Sequence, residues 1–175
     1  MRRLATVLCL AALPWLARAQ APLRWGGDAE GGAPFVEADP RNPSQVVGFD
    51  VEVAELIARA FGQRAEFVQS AFTELDQSAA RGDFDIGLSG IEDTPARRRT
   101  LAVSVPYYEF QEVLTVRTAD RARYRTLADL RGRNVGTLAG TIAYETLKSA
   151  ESGSGVRTVA YEDDIHPYSD LLLGR

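Results

Sequence analysis

Nineteen arginines and one lysine, Lys148, carry the positive charge of this 175-residue chain; one His, one Cys and one Met are its whole supply of imidazole and sulfur ligands. That inventory is too small for a Cys₄ or Cys₂His₂ zinc site, an iron–sulfur cluster or a disulfide framework. No metal and no cofactor is expected. Gly87-Leu88-Ser89-Gly90 misses the G-x-S-x-G nucleophile elbow, and P-loop, G-x-G-x-x-G and H-E-x-x-H patterns are absent from the sequence. General acid chemistry would fall to Glu92 or His166. His166 precedes Pro167, which favours an extended residue at a helix start, where capping is the ordinary role. Glu162-Asp163-Asp164 lacks calcium-loop spacing and reads as solvated charge. What the residues offer is anion binding. Gly140-Thr141 opens a helix directly after a strand, and the free N–H groups and positive dipole end there receive anions. Arg97-Arg98-Arg99 follows the cap-plus-proline pair Thr94-Pro95, and three successive arginines on an exposed turn would be solvated.

The overall charge argues against a polyanionic partner. Twenty cations stand against 24 acids, a formal charge of −4, and nucleic acid would need a basic face. Residues 1–19 read as a secretory signal: Arg2 and Arg3, an apolar run from Leu4 to Leu16, and the small-x-small site Ala17-Arg18-Ala19. The run is too short to span a bilayer comfortably. Cleavage after Ala19 would remove three arginines and Cys9, leaving 17 cations, 24 acids, a charge of −7 and no thiol. A cysteine-free exported chain suits an oxidising compartment, so a periplasmic location is expected.

The remaining sequence alternates strand and helix, which predicts parallel, right-handed α/β units. Strand Leu23–Gly26 leads into a Gly/Pro loop, and Pro40 and Pro43 bracket a turn. Asp50 is the expected N-cap of a helix carrying Val53, Ala54, Ile57 and Phe61 and ended by Gly62. Strand 65–68, helix 73–81, strand 84–88 and a short helix from Thr94-Pro95 follow. After a strand at 112–116, Thr126 caps a short helix ending at Gly132. Strand 134–137, helix 141–150, a polar turn at 152–155, strand 156–160 and helix 167–173 complete the pattern. Expected boundaries are a first lobe at 20–114 and a second at 115–175. Two strands bury their faces poorly, so the second lobe is expected to be incomplete at Arg175.

Four stretches in this order resemble the polar amino acid family of periplasmic solute-binding proteins, the extracytoplasmic components of ABC importers. They are Val47-Gly48-Phe49-Asp50-Val51-Glu52-Val53-Ala54; Gly82-Asp83-Phe84-Asp85-Ile86; Thr94-Pro95-Ala96-Arg97-Arg98 with Val105-Pro106-Tyr107-Tyr108; and Leu127-Ala128-Asp129-Leu130-Arg131-Gly132 leading to Val135-Gly136-Thr137-Leu138-Ala139-Gly140-Thr141. The resemblance implies a two-lobe, type II periplasmic-binding α/β fold. It implies binding of a polar or charged amino acid by lobe closure, and delivery to an ABC permease. Gly90-Ile91-Glu92-Asp93-Thr94-Pro95 further resembles a branch whose binding domain is fused to its permease, which would tether it to the membrane. Two other outcomes share the fold: an exported dehydratase, and the input domain of a receptor.

The resemblance also assigns a site. Arg97 is to grip the ligand α-carboxylate, and Thr141, beside Gly140, is to meet it from the opposite lobe. Phe72 is to pack on the ligand, and the backbone of Ser89 and Gly90 is to hydrogen-bond it; Arg98 and Arg99 are read as solvated. Three departures stand out. Gly31 and Gly32 occupy the region where the family places an aromatic residue before Phe35. Glu92 replaces a hydroxyl five residues before the arginine; it must pair with Arg97, hold the ligand ammonium or turn away, and the ammonium role is preferred. The acid that normally holds the ammonium falls beyond Arg175, with Asp28 as the nearer candidate.

Overall fold

The computed structural model describes residues 20–30 and 32–175. The expected signal segment and Gly31 lie outside the described residues. The first unit is built on β1 (Leu23–Gly27), whose buried side holds Trp25. Its neighbours are β4 (Ala65–Gln69) and β5 (Ile86–Gly87), both parallel to it, so the order is β4-β1-β5. Strand-to-strand returns run through α1 (Phe49–Ala60) and α2 (Leu75–Arg81), as parallel pairing demands. A small antiparallel hairpin, β2 (Glu37–Asp39) and β3 (Asn42–Val47), precedes α1. Pro43 sits inside β3, a two-stranded edge position where a missing N–H is tolerated. The apolar core consists of Trp25, Val36, Ala54 and Leu88, flanked by Val46, Phe67 and Ile86, with the Trp25 and Phe67 ring centroids 4.7 Å apart.

The start of α1 differs from expectation. Gly48, at φ 132°, occupies the cap with no side-chain capping bond, and Asp50 is the second residue of the helix's first turn. A side chain at position 48 would run into the Phe35 carbonyl, so the backbone approach selects glycine there and releases the Asp50 carboxylate for other partners. At the other end Gly62, at φ 69°, closes the helix as expected, with its N–H donating to the Arg59 carbonyl. The predicted helix over 73–81 begins as a 3-10 turn at Phe72–Glu74 before α2, and ends at left-handed Gly82.

The second unit pairs β6 (Asn134–Leu138) and β7 (Arg157–Tyr161) in parallel across α3 (Ile142–Ser154), followed by α4 (Ile165–Leu173). Thr126 opens a short 3-10 turn at Leu127–Leu130, and the Asp129 carboxylate reaches back to the Thr126 N–H at 2.9 Å. Helix α3 runs through the predicted turn at 152–155 and stops only at left-handed Gly155. Its extra turn is held by the Ser154 hydroxyl on the Ala150 carbonyl. Helix α4 starts two residues early because Asp163 accepts from the N–H groups of both Ile165 and His166. The strand expected at 112–116 does not form: residues 101–117 run between the units without ladder partners among the described residues. The β-branched and apolar residues Val113, Leu114, Thr115 and Val116 meet the local requirement of a strand, but a ladder also needs a neighbour.

Candidate functional site at the junction of the two units

Arg97 leaves a 3-10 turn at Arg97–Arg99, and the Thr94 hydroxyl oxygen accepts from the Arg97 N–H at 3.2 Å. Only 8% exposed, the side chain reaches across to the second unit. Nη2 donates to the Gly140 carbonyl at 3.1 Å, Nη1 to the Glu92 carbonyl at 3.0 Å and carboxylate at 2.8 Å, and Nε to both oxygens of Asp76 at 3.0–3.1 Å. The guanidinium also lies 5.9 Å from the centre of the Phe72 ring, within cation–π range. Arg98 pairs instead with Asp93 on the exposed side. Sequence reasoning missed Asp76. The signal was available: it lies four residues after Phe72, a separation that brings side chains to one face of a helical turn.

Glu92, 8% exposed, is the second centre of the junction. One carboxylate oxygen holds Arg97 and the other accepts from the Ile142 N–H at 3.0 Å. Ile142 is the first residue of α3, so this carboxylate sits where the free N–H groups and dipole of a helix converge. Of the three options open to Glu92 in the sequence, this arrangement is pairing with Arg97. Thr141 is the N-cap of α3: its oxygen accepts from the Tyr144 N–H at 3.1 Å and its hydroxyl donates to the Leu138 carbonyl at 2.8 Å. Gly140 supplies its carbonyl to Arg97 from a left-handed turn.

The other predicted residues frame the junction through mutual bonds. Asp28 is buried, and its carboxylate accepts from the N–H groups of Glu30 and Phe72 and from the Gln69 amide, at 2.8–3.0 Å. That bracket ties the end of β1 to the loop carrying Phe72. Ser89 accepts from the Asp28 N–H at 3.1 Å. The Gly90 N–H, expected to face a ligand, donates to Asp50 at 3.2 Å. Gly90 is left-handed, and a Cβ there would lie 2.9 Å from the Phe35 ring. An acidic groove beside the junction includes Asp28, Glu30, Glu74, Glu162 and Asp163, with Arg81 as its cation. His166 lies away from Arg97, on the exposed start of α4, with Nδ1 2.5 Å from Asp163.

Asp50 is fully buried and accepts from the Tyr107 hydroxyl at 2.9 Å as well as from Gly90. Burial pushes its carboxyl above the ordinary carboxylate range, and the two hydrogen bonds offset this only in part. The sign follows from linkage. The folded state holds this proton more tightly than the unfolded chain, so the contribution is fully present below the unfolded pKa of about 3.9 and is lost as pH rises through the raised folded value. Urea unfolding of wild type and Asp50→Asn across that window should show a difference that changes with pH. Parallel pH profiles would contradict the assignment.

With a carboxylate-binding guanidinium facing a helix N-terminus across two α/β units, the fold and site define a ligand-binding class. The chain belongs to the bacterial extracellular solute-binding proteins, family 3, whose pattern matches residues 23–165. It is 29% identical over 175 residues to the ABC transporter arginine-binding protein 1 of Escherichia coli (strain K12), covering all of this chain and 69% of that one. It spans 56% and 48% of two other curated arginine-binding relatives. Holo ArgBP from T. maritima superposes with a TM-score of 0.77 at 30% identity, over 87% of this chain and 65% of that one. The ancestral amino acid-binding protein AncCDT-1, a precursor of cyclohexadienyl dehydratase, gives 0.78 at 26% identity, over 88% and 66%. The α/β two-lobe architecture expected from the sequence is the architecture of these binding proteins, with about two thirds of their length present here.

Proposed function

We propose that this chain captures an amino acid outside the cytoplasm, between residues 20–114 and 115–175, for uptake through an ABC permease. The observation that carries this reading is the meeting of Arg97 with the N-terminal turn of α3 across the junction. In the liganded form Arg97 and the Thr141 turn receive the α-carboxylate, and the half-buried Phe72 ring flanks the ligand. Gly90 and Ser89 shape the floor, and Asp28 holds that floor in place rather than the ligand ammonium. The segment 1–19 serves as the export signal. A permease, separate or carried on the same polypeptide, reads the closed form.

Binding without chemistry is favoured over a dehydratase role. Glu92 is held by Arg97 and Ile142, and His166 is exposed with Asp163; neither is poised as a free general acid. The test is a thermal-shift panel of amino acids, arginine first because the relatives above are named for it. At about 100 times Kd a ligand adds roughly 2.7 kcal/mol, which is several degrees at this size. Failure of every amino acid in the panel to shift the midpoint would reject the reading.

A further inference from the structure

Glu92 occupies a position that the proposed function reserves for something else. A ligand carboxylate gripped by Arg97 and the N-terminus of α3 needs the same donors that the Glu92 carboxylate takes here: Arg97 Nη1 at 2.8 Å and the Ile142 N–H at 3.0 Å. Resting on that reading, we propose that Glu92 is a tethered competitor: its side chain fills the carboxylate place, bridges the two units without a ligand, and must be displaced when an amino acid binds.

The geometry supports displacement rather than simple addition. A guanidinium has five N–H donors. Four of Arg97's are committed: Nε to Asp76, both on Nη1 to Glu92, and one on Nη2 to Gly140. Two carboxylates already face one cation, and a third negative charge in the same buried space would be repelled. The surroundings add negative charge: Glu112 and Asp164 both stand close enough for the Glu92 charge to add to partial burial in raising their carboxyls. The covalent tether makes Glu92 effective at low intrinsic affinity, because its carboxylate is present at a high effective concentration. An incoming amino acid must outcompete it, so the free-ligand affinity is set below what Arg97 and the helix end would give alone.

The test compares wild type with Glu92→Thr, which restores a hydroxyl and empties the carboxylate place, and with Glu92→Gln, which keeps length and one acceptor but removes charge. Free acetate is the first probe. Acetate in the tens of millimolar should raise the unfolding midpoint of Glu92→Thr and leave wild type unmoved. Amino acids from the panel should bind both variants at least tenfold more tightly than wild type. Absence of acetate rescue overturns the proposal, as does affinity that falls or stays within threefold in both variants. If acetate rescues while no amino acid binds any form, the carboxylate place stands and the proposed amino-acid function fails instead. Glu92→Gln keeps the affinity arm decisive should Glu92→Thr fold poorly.

Discussion

Replacing Arg97 with alanine should weaken ligand binding by about 30-fold to several thousandfold, the range expected for roughly 2–5 kcal/mol when one partner of a buried charge pair is lost. The same change strikes at stability, because Arg97 is the cation for Glu92, whose side chain is 6% exposed. Stranding a buried carboxylate costs about 3–5 kcal/mol by comparison with other broken buried pairs. The two effects separate in the double variant Arg97→Ala/Glu92→Gln. Removing the stranded charge should return part of the stability, while affinity stays far below that of Glu92→Gln alone. Calorimetric titration and urea unfolding on the same preparations provide both readings. Arg97→Ala binding within threefold of wild type would remove Arg97 from the site.

A stability effect of the same size is expected at Trp25, 2% exposed at the centre of β1 and packed against Val36, Ala54, Leu88 and Phe67. Trp25→Ala removes an indole from between the sheet and α1, and truncations of this kind cost about 3–5 kcal/mol. Against a total of about 5–15 kcal/mol for an ordinary domain, the first unit would be close to unfolding. The urea midpoint should fall sharply with an unchanged m value. A loss under about 1 kcal/mol would mean that the sheet and α1 close over the gap, contrary to a core organised around this ring.

The success of sequence reading divides along physical lines. Local signals carried: Thr141 caps α3, Gly82 ends α2, and the βαβ rhythm gives β1 parallel neighbours on both sides. Each depends on a few consecutive residues and on periodicity, which a sequence displays directly. Signals that require a distant partner did not. Asp50 has the residue type of a cap, but the close pass of Phe35 gives that place to Gly48 and turns Asp50 toward Gly90 and Tyr107, 40 and 57 residues away. Residues 112–116 have the β-branched, apolar composition of a strand and pair with nothing described. At the junction, Arg97 stood out by its motif position and Glu92 as out of pattern. What no spacing could reveal is that Glu92 spans 50 residues to reach the Ile142 N–H.

The joint between the units has a mechanical consequence. The apolar cluster lies wholly within residues 25–88, whereas the described ties across the junction are polar: Arg97 to Gly140, Glu92 to Ile142, and Thr73 to Glu162. Apolar contacts give up their free energy only when water floods in, but hydrogen bonds can be handed to water or to a guest one at a time. The joint is therefore a plane of weakness, like that of a layered crystal: parting there would break hydrogen bonds and leave the apolar cluster of the first unit intact. That plane coincides with the place where a guest would enter.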